Sequence, residues 1–537
     1  MPRRAGLGNR GICFFDTVAE GGENFMNLTR KEFLFLSSKV AAGAALGPSL
    51  SSLGMAGLVD DIRNVPAVRK IHEHIAREKE KHIANVQADL RQPSVSSWNM
   101  GINEMAHRMI DSFRAIGCKE AELVPTEGLP GIWAYHDAGA PKTLLIYMMY
   151  DTQPWEKERW SVDPLSATRM PKPPFPEVIV GRGAVNDKGP NRFFLNACES
   201  ILAVNNRLPV NLMFTCDGEE EQGSPHFHQV LDRYASRLKK ANAELNVVPT
   251  QDVEGHVAMF LGVKGILELE LEASGANWGK GPQKQPIHSG AKAILDSPAW
   301  RLVDALRNMY DPQTNRILID GFYDAIRPPN DEEEAMLEQL IRQSGSQLLE
   351  EQKKNARSWI NGWSDAEAMR HFLFDTTMNI NGIWSGYTGP GAATIVPEKA
   401  NAKIDFRLVP NQDVTTQQEL VEEHLRKHGF GDFEYRSMGG GDEWSQTSVR
   451  EPLVQSLLTV YRANHVEPAV WPRSPASTPE AQYTRKLGLP AVRGGMGHGG
   501  NEHVNDEYIV IEGTGKVAGI VQAEQSIVDL LFTYAQT

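Results

Sequence analysis

Glu219, Glu220 and Glu221 stand side by side in the segment Asp217-Gly218-Glu219-Glu220-Glu221-Gln222-Gly223-Ser224, directly after an apolar run. Neighbouring carboxylates at such a place can divide the labour of metal-assisted amide hydrolysis. One holds a divalent ion, and the other takes a proton from a water bound to that ion. The same run also suits the start of a helix near Ser224, where the helix dipole favours negative charge. Three further segments carry residue types that complete such a site. Ile146 to Pro154 contains Asp151, Gly181 to Gly189 contains Asn186 and Asp187, and His498 to Glu507 contains His498 and His503.

The elements around these segments predict how they are held. Thr143 to Tyr150 is a continuous apolar run ending at Asp151, as expected of a buried strand, and Asn211 to Cys216 is another. Asn191 to Asn205 carries apolar residues at helical spacing, and Ser224 to Lys240 reads as a further helix. Strands ending in acidic residues, with helices between, predict an α/β domain with a mixed, largely parallel sheet and its site at the carboxyl edge. After Gly265 the pattern changes. Leu267, Leu269 and Leu271 alternate with Glu268, Glu270 and Glu272, which predicts an antiparallel strand with one wet face. A second such strand is expected from Ala392 to Val409, with a charged helical stretch over 297–375 between them. The reading is a catalytic domain of residues 58–263 and 441–537, interrupted by an inserted α+β lid or dimerisation domain over 264–440. Gly439-Gly440-Gly441 is the expected hinge.

The 537 residues suffice for two or three domains. A net charge of -13 argues against nucleic acid or a stable membrane association as the main partner. Cys13, Cys118, Cys198 and Cys216 form no CxxC pair, so neither a disulfide framework nor a cysteine zinc site is expected. Residues 1–57 read as a leader. Thr29-Arg30-Lys31-Glu32-Phe33-Leu34 precedes an Ala-, Gly- and Ser-rich stretch, similar to a twin-arginine export signal with Met26 at its natural start. Periplasmic or secreted localisation is the expectation, with a cytoplasmic leader as the alternative.

Taken together, the four segments resemble the co-catalytic zinc hydrolases that include aminoacylases, carnosine-type dipeptidases and glutamate carboxypeptidases. The likeness runs from about 65 to 535 and includes Gln92-Pro93-Ser94-Val95-Ser96 and Asp405-Phe406-Arg407-Leu408-Val409-Pro410. The resemblance implies Glu220 as general base and Glu221 as metal ligand. It implies Asp252 as the third carboxylate and His503 as the terminal histidine, with His498 as competitor. His288 matches a histidine that stabilises the developing oxyanion, often in the partner subunit of a homodimer. Arg407 matches the arginine that grips a substrate carboxylate. Ser477 lies in Ser474-Pro475-Ala476-Ser477-Thr478-Pro479, at the family's substrate loop, but without its two glycines.

Two positions depart from the family pattern. Met149 stands where a ligand histidine precedes Asp151, and a thioether is a poor ligand for zinc or manganese. Asn186 stands where an aspartate bridges two ions. The expectation is a hydrolase of an amide bond in a small carboxylate-bearing substrate. Its single zinc or manganese ion is held by Glu221, His503 and whatever Asn186 or Asp187 supplies, and Asp151 is released to act as an acid or base. A metal-free enzyme and a non-catalytic binding protein are the alternatives.

Overall fold

The computed structural model describes residues 58–344, 349–438 and 441–537. The leader through Gly57 and Gly439-Gly440 of the expected hinge lie outside the described residues. An eight-stranded sheet runs in the order Glu120–Val124, Gly131–His136, Asn211–Asp217, Thr143–Met149, Ala243–Asn246, Ala491–Arg493, Ala258–Phe260, Ala469–Trp471. Four adjacent central strands, from Asn211–Asp217 to Ala491–Arg493, are mutually parallel. Their carboxyl ends therefore share one edge, which presents Asp217, Met149, Asn246 and Arg493 in that order. Every residue of Thr143–Met149 and Asn211–Asp217 is buried. The continuous apolar runs follow from this, because helices cover both faces of these strands.

The helices Pro66–Arg77, Lys79–Arg91, Lys188–Asn205 and Ile520–Tyr534 contribute to the core on one face. Phe227–Leu238 packs on the other, against Leu145, Tyr147 and Met149. Among the described residues, no helix is long and apolar enough to cross a membrane.

The inserted region builds a separate antiparallel sheet, in the order Thr377–Ser385, Lys399–Leu408, Gly265–Ser274, Glu434–Ser437. Leu267, Leu269 and Leu271 are buried against the helices Pro298–Met309 and Val414–Lys427, while Glu268 and Glu270 on the other face are half-buried and Glu272 is buried beside Lys399. The strand expected over 392–409 is split. Ile395–Val396 pairs with Ile287–His288, and the long strand begins only at Lys399. Pro397 lies at the break, where it has no N–H to donate to a ladder.

Candidate active site

A smaller sheet brings two of the sequence segments together. Its order is Gly499–Gly500, Tyr508–Glu512, Phe175–Val180, Thr168–Lys172, and all its pairs are antiparallel. Tyr508 pairs with Val180, so the loop leaving Val180 and the loop entering Tyr508 emerge side by side. The first loop carries Asn186, and the second carries His503 and Glu507. A Cβ added at Gly499 would lie 2.5 Å from the Val185 side chain, so the loops approach closer than any other residue would allow.

Glu507 fixes this arrangement. Its carboxylate is buried and accepts the backbone N–H groups of Gly183, Val185 and Asn186 at 2.9, 3.0 and 3.0 Å. It also accepts Arg182 Nη1 at 2.8 Å. Backbone donors of a loop that would otherwise be orphaned are thereby satisfied by one charged acceptor.

The result is a convergence of side chains from four loops. Asn186 Nδ2 lies 2.8 Å from Glu221 Oε1 and 2.9 Å from His503 Nε2. His503 Nε2 is 3.2 Å from Glu221 Oε2, and Gln153 Nε2 donates to that same oxygen at 2.7 Å. The hydrogen bond to Glu221 is the main cause that raises the His503 pKa above its ordinary value. Glu220, one residue away, accepts no hydrogen bond through its carboxylate from any described residue. Burial, and then the like charges of Glu221 and Asp151, push its pKa well above the usual carboxylate value. Burial likewise lifts Asp187 to about 8, opposed chiefly by Arg493. Asp217 rises to about 6 for the same first reason.

Asp151 is not the free acid or base expected from the loss of a ligand histidine. It is fully buried, and its two oxygens accept the backbone N–H groups of Glu220 and Glu221, each at 3.1 Å. It is a positioning residue that shapes the short 3-10 turn Glu220–Gln222, where both glutamates begin. Asp252 is corrected as well. It sits in a surface turn, where its carboxylate accepts the N–H groups of Glu254 and His256 at 2.9 Å and pairs with His256 Nδ1 at 2.8 Å. Those contacts engage both its oxygens away from Glu221 and His503. His498, the competitor ligand, is buried. Its Nδ1 lies 2.5 Å from Gln251 O and its Nε2 3.0 Å from the Tyr508 hydroxyl, so both ring nitrogens are engaged.

Arg407 and Ser477 meet as a pair. Arg407 Nη1 donates to Ser477 Oγ at 3.0 Å, and Ser477 Oγ donates to Lys264 O at 2.7 Å. His288 lies apart from this site, exposed on the strand Ile287–His288, where its Nδ1 accepts the Gly290 N–H at 3.1 Å. Gln153, Glu507 and Arg493 were not found from the sequence. Only Arg493 offered a signal there, as a basic residue closing a short apolar run before Gly494-Gly495.

The donor set fits one divalent ion. Glu221 and His503 supply a carboxylate and an imidazole, and a half-turn of the Asn186 amide would present Oδ1 in place of Nδ2. The donors at the places a second ion would need are weaker. Met149 offers a thioether, Asp252 is engaged elsewhere, and Ala243–Asn246 ends in an amide whose Nδ2 lies 3.3 Å from Glu480 Oε1. Elsewhere among the described residues, Asp320, His424 and His428 form a three-residue group with ligand-type atoms close together. Lys427 Nζ already lies 2.5 Å from Asp320 Oδ2, and His424 engages the Asp320 N–H and the Asn308 carbonyl. That group is an ion-pair network.

Residues 261–432 match the peptidase dimerisation domain. Over 486 residues the chain is 25% identical to the Cys-Gly metallodipeptidase of Candida albicans, covering 82% of this chain and 94% of that protein. The structure superposes on an M20 family metallo-carboxypeptidase from Sulfolobus solfataricus with a TM-score of 0.74 and 30% identity, over 84% of this chain and 99% of that one. Human carnosine dipeptidase 1 shares the fold at a TM-score of 0.66 and 21% identity, over 88% of this chain and all of the other.

Proposed function

The chain belongs to the M20 family of metallopeptidases, and from that premise we propose that it hydrolyses the peptide bond of a small peptide with a free carboxylate, using one divalent ion per chain. The observation that carries the reading is the division of labour between two adjacent glutamates. Glu221 is tied to Asn186, Gln153 and His503, whereas the carboxylate of Glu220 is left without a hydrogen-bond partner among the described residues. That contrast supports Glu221 as a ligand and Glu220 as the base.

Glu221, His503 and the Asn186 carbonyl would hold the ion, zinc or manganese. When bound, it supplies a polarised water and an electrophile for the scissile carbonyl. The remaining work falls to the side chains. Glu220 takes the water's proton and delivers it to the departing amine. Arg407, oriented by Ser477, grips the substrate carboxylate. Asp151 keeps both glutamates in register through their backbone N–H groups. His288, exposed and remote in its own chain, serves the site of the second subunit in a homodimer. Ile380, Ile383 and Trp384, exposed on the edge strand Thr377–Ser385, support such an apolar contact. Export through the leader belongs to the same proposal, and fractionation of cells expressing the full chain tests it.

The primary test is metal content by elemental analysis after incubation with zinc or manganese and desalting, paired with hydrolysis of dipeptides and their C-terminal amides. One ion per chain, chelator-reversible loss of activity and rejection of the amides are expected. Two ions per chain would overturn the single-ion reading. Full activity in a metal-free preparation would favour the metal-free alternative, for which the closed Asn186–Glu221–His503 triad is the motive.

A further inference from the structure

The carboxyl edge of the central sheet ends in a cation where the single-ion reading leaves a gap. Arg493 is the last residue of its strand, paired in register with Asn246, which in turn pairs with Tyr147, two residues before Met149. Side chains alternate along this strand. Ala491 packs with Leu145, Tyr147 and Met149, Val492 packs on the opposite face, and Arg493 returns to the Met149 face. Its Nε is enclosed without a hydrogen-bond partner among the described residues, and so is Oε2 of the nearby Glu480. The anions that act on this guanidinium are, in order, Glu480, Asp187, Glu502 and Glu220. They include the proposed base. Arg493 is also the foremost cation acting on buried Asp187.

A guanidinium keeps its charge at any working pH and presents donors in a rigid fork. Deep among carboxylates it is a permanent positive centre, and its unused donors are costly unless something completes them. We propose that Arg493 provides the fixed positive charge on the Met149 side of the pocket and donates to the oxygen of the scissile carbonyl as negative charge develops there. No bond to Arg493 forms or breaks. The contribution is a stronger hydrogen bond in the tetrahedral state than in the ground state. The inference rests on the single-ion reading above. It assigns to this residue the role that a second ion would otherwise fill.

The test uses Arg493→Met, which keeps bulk without charge, and Arg493→Ala, which leaves room for a small cation. Both are made in the full chain and compared with wild type after zinc loading. The variants should keep one ion per chain. They should lose about 100- to 1,000-fold in kcat on a cleaved dipeptide, the usual cost of one oxyanion donor, with KM little changed. Affinity for a phosphinic dipeptide, a tetrahedral mimic measured by calorimetry, should fall by a similar factor in Arg493→Met. Guanidinium chloride at millimolar concentration should restore at least about tenfold of the lost rate in Arg493→Ala and none in Arg493→Met. Unchanged phosphinate affinity in Arg493→Met, or a loss in Arg493→Ala that guanidinium does not relieve, overturns the proposal. A wild-type content of two ions would instead overturn the reading beneath it, so the two failures are distinguishable.

Discussion

Glu507→Gln is predicted to damage the site without touching it. In the structure Glu507 Oε1 accepts the Val185 and Asn186 N–H groups, and Oε2 accepts the Gly183 N–H and Arg182 Nη1. A glutamine amide in either orientation sets an NH₂ group against two donors. Arg182, with a side chain only 3% exposed, then keeps the Val504 carbonyl at 3.2 Å and the face of Trp160 as its remaining partners. Breaking a buried ion pair from one side costs about 3–5 kcal/mol, because an uncompensated charge stays behind. For a chain of this size that is a fall in melting temperature of roughly 3–5 °C. The loop carrying Asn186 loses its anchor, so zinc affinity should fall about 10- to 100-fold, as is usual when the support behind a ligand is removed. Scanning calorimetry and competitive zinc titration measure the two effects. Adding Arg182→Met removes the stranded charge and should recover about 1–3 kcal/mol of stability. Zinc affinity should stay low, since the loop donors remain unmet. A Glu507→Gln variant with wild-type melting and wild-type zinc affinity would refute the idea that this carboxylate positions the site.

Glu220→Gln should lower kcat by at least about 100-fold while leaving zinc content and melting temperature unchanged, measured by dipeptide hydrolysis and elemental analysis. Arg407→Ala should raise KM about 10- to 100-fold with a smaller effect on kcat, from loss of a charge-assisted contact worth about 1.5–3 kcal/mol. Ser477→Ala should do the same more weakly. Zinc needs His503 neutral, and Glu221 raises its pKa above the ordinary histidine value of 6.5, so a proton competes with the metal below that raised pKa. Zinc affinity should therefore decline about tenfold per pH unit from a break above pH 6.5, and a break at or below 6.5 would contradict the Glu221–His503 contact.

The strands and the loops that carry chemistry were legible because buried parallel strands are apolar throughout and stop where polar residues begin. Glu220 and Glu221 could be placed at the sheet edge on that ground, and His503, Arg407 and Ser477 only on the family likeness. Side-chain roles set by tertiary partners were not legible. Asp151 looked free because its family partner, a histidine, is a methionine here. Nothing in a sequence reveals that two backbone N–H groups from residues 220 and 221 claim its oxygens. Asp252 misled for a local reason. Asp252-Val253-Glu254-Gly255 is a turn sequence, and the carboxylate caps its own loop. Glu507 was hidden because its four donors lie more than 300 residues upstream.

The substitutions at this site are electrostatically consistent with one another. On the proposed reading, the pocket lacks the bridging carboxylate that the resemblance implies, since Asn186 is neutral, and a third carboxylate, since Asp252 caps its own turn. On the single-ion proposal, two fewer negative charges and one fewer dication would leave the local balance unchanged. A random loss of the bridging aspartate alone would instead leave a dication facing too few ligands. The cation Arg493 is matched in turn by Glu480, which is buried and linked to Asn246. Each change would cost several kcal/mol if made singly in a low-dielectric pocket, and the set together need not. That compensation, with Glu220 left free of hydrogen-bond partners in the described structure, is what a pocket rebuilt for continued hydrolysis requires. A pocket drifting out of use has no force to keep an unpaired base beside an enclosed guanidinium.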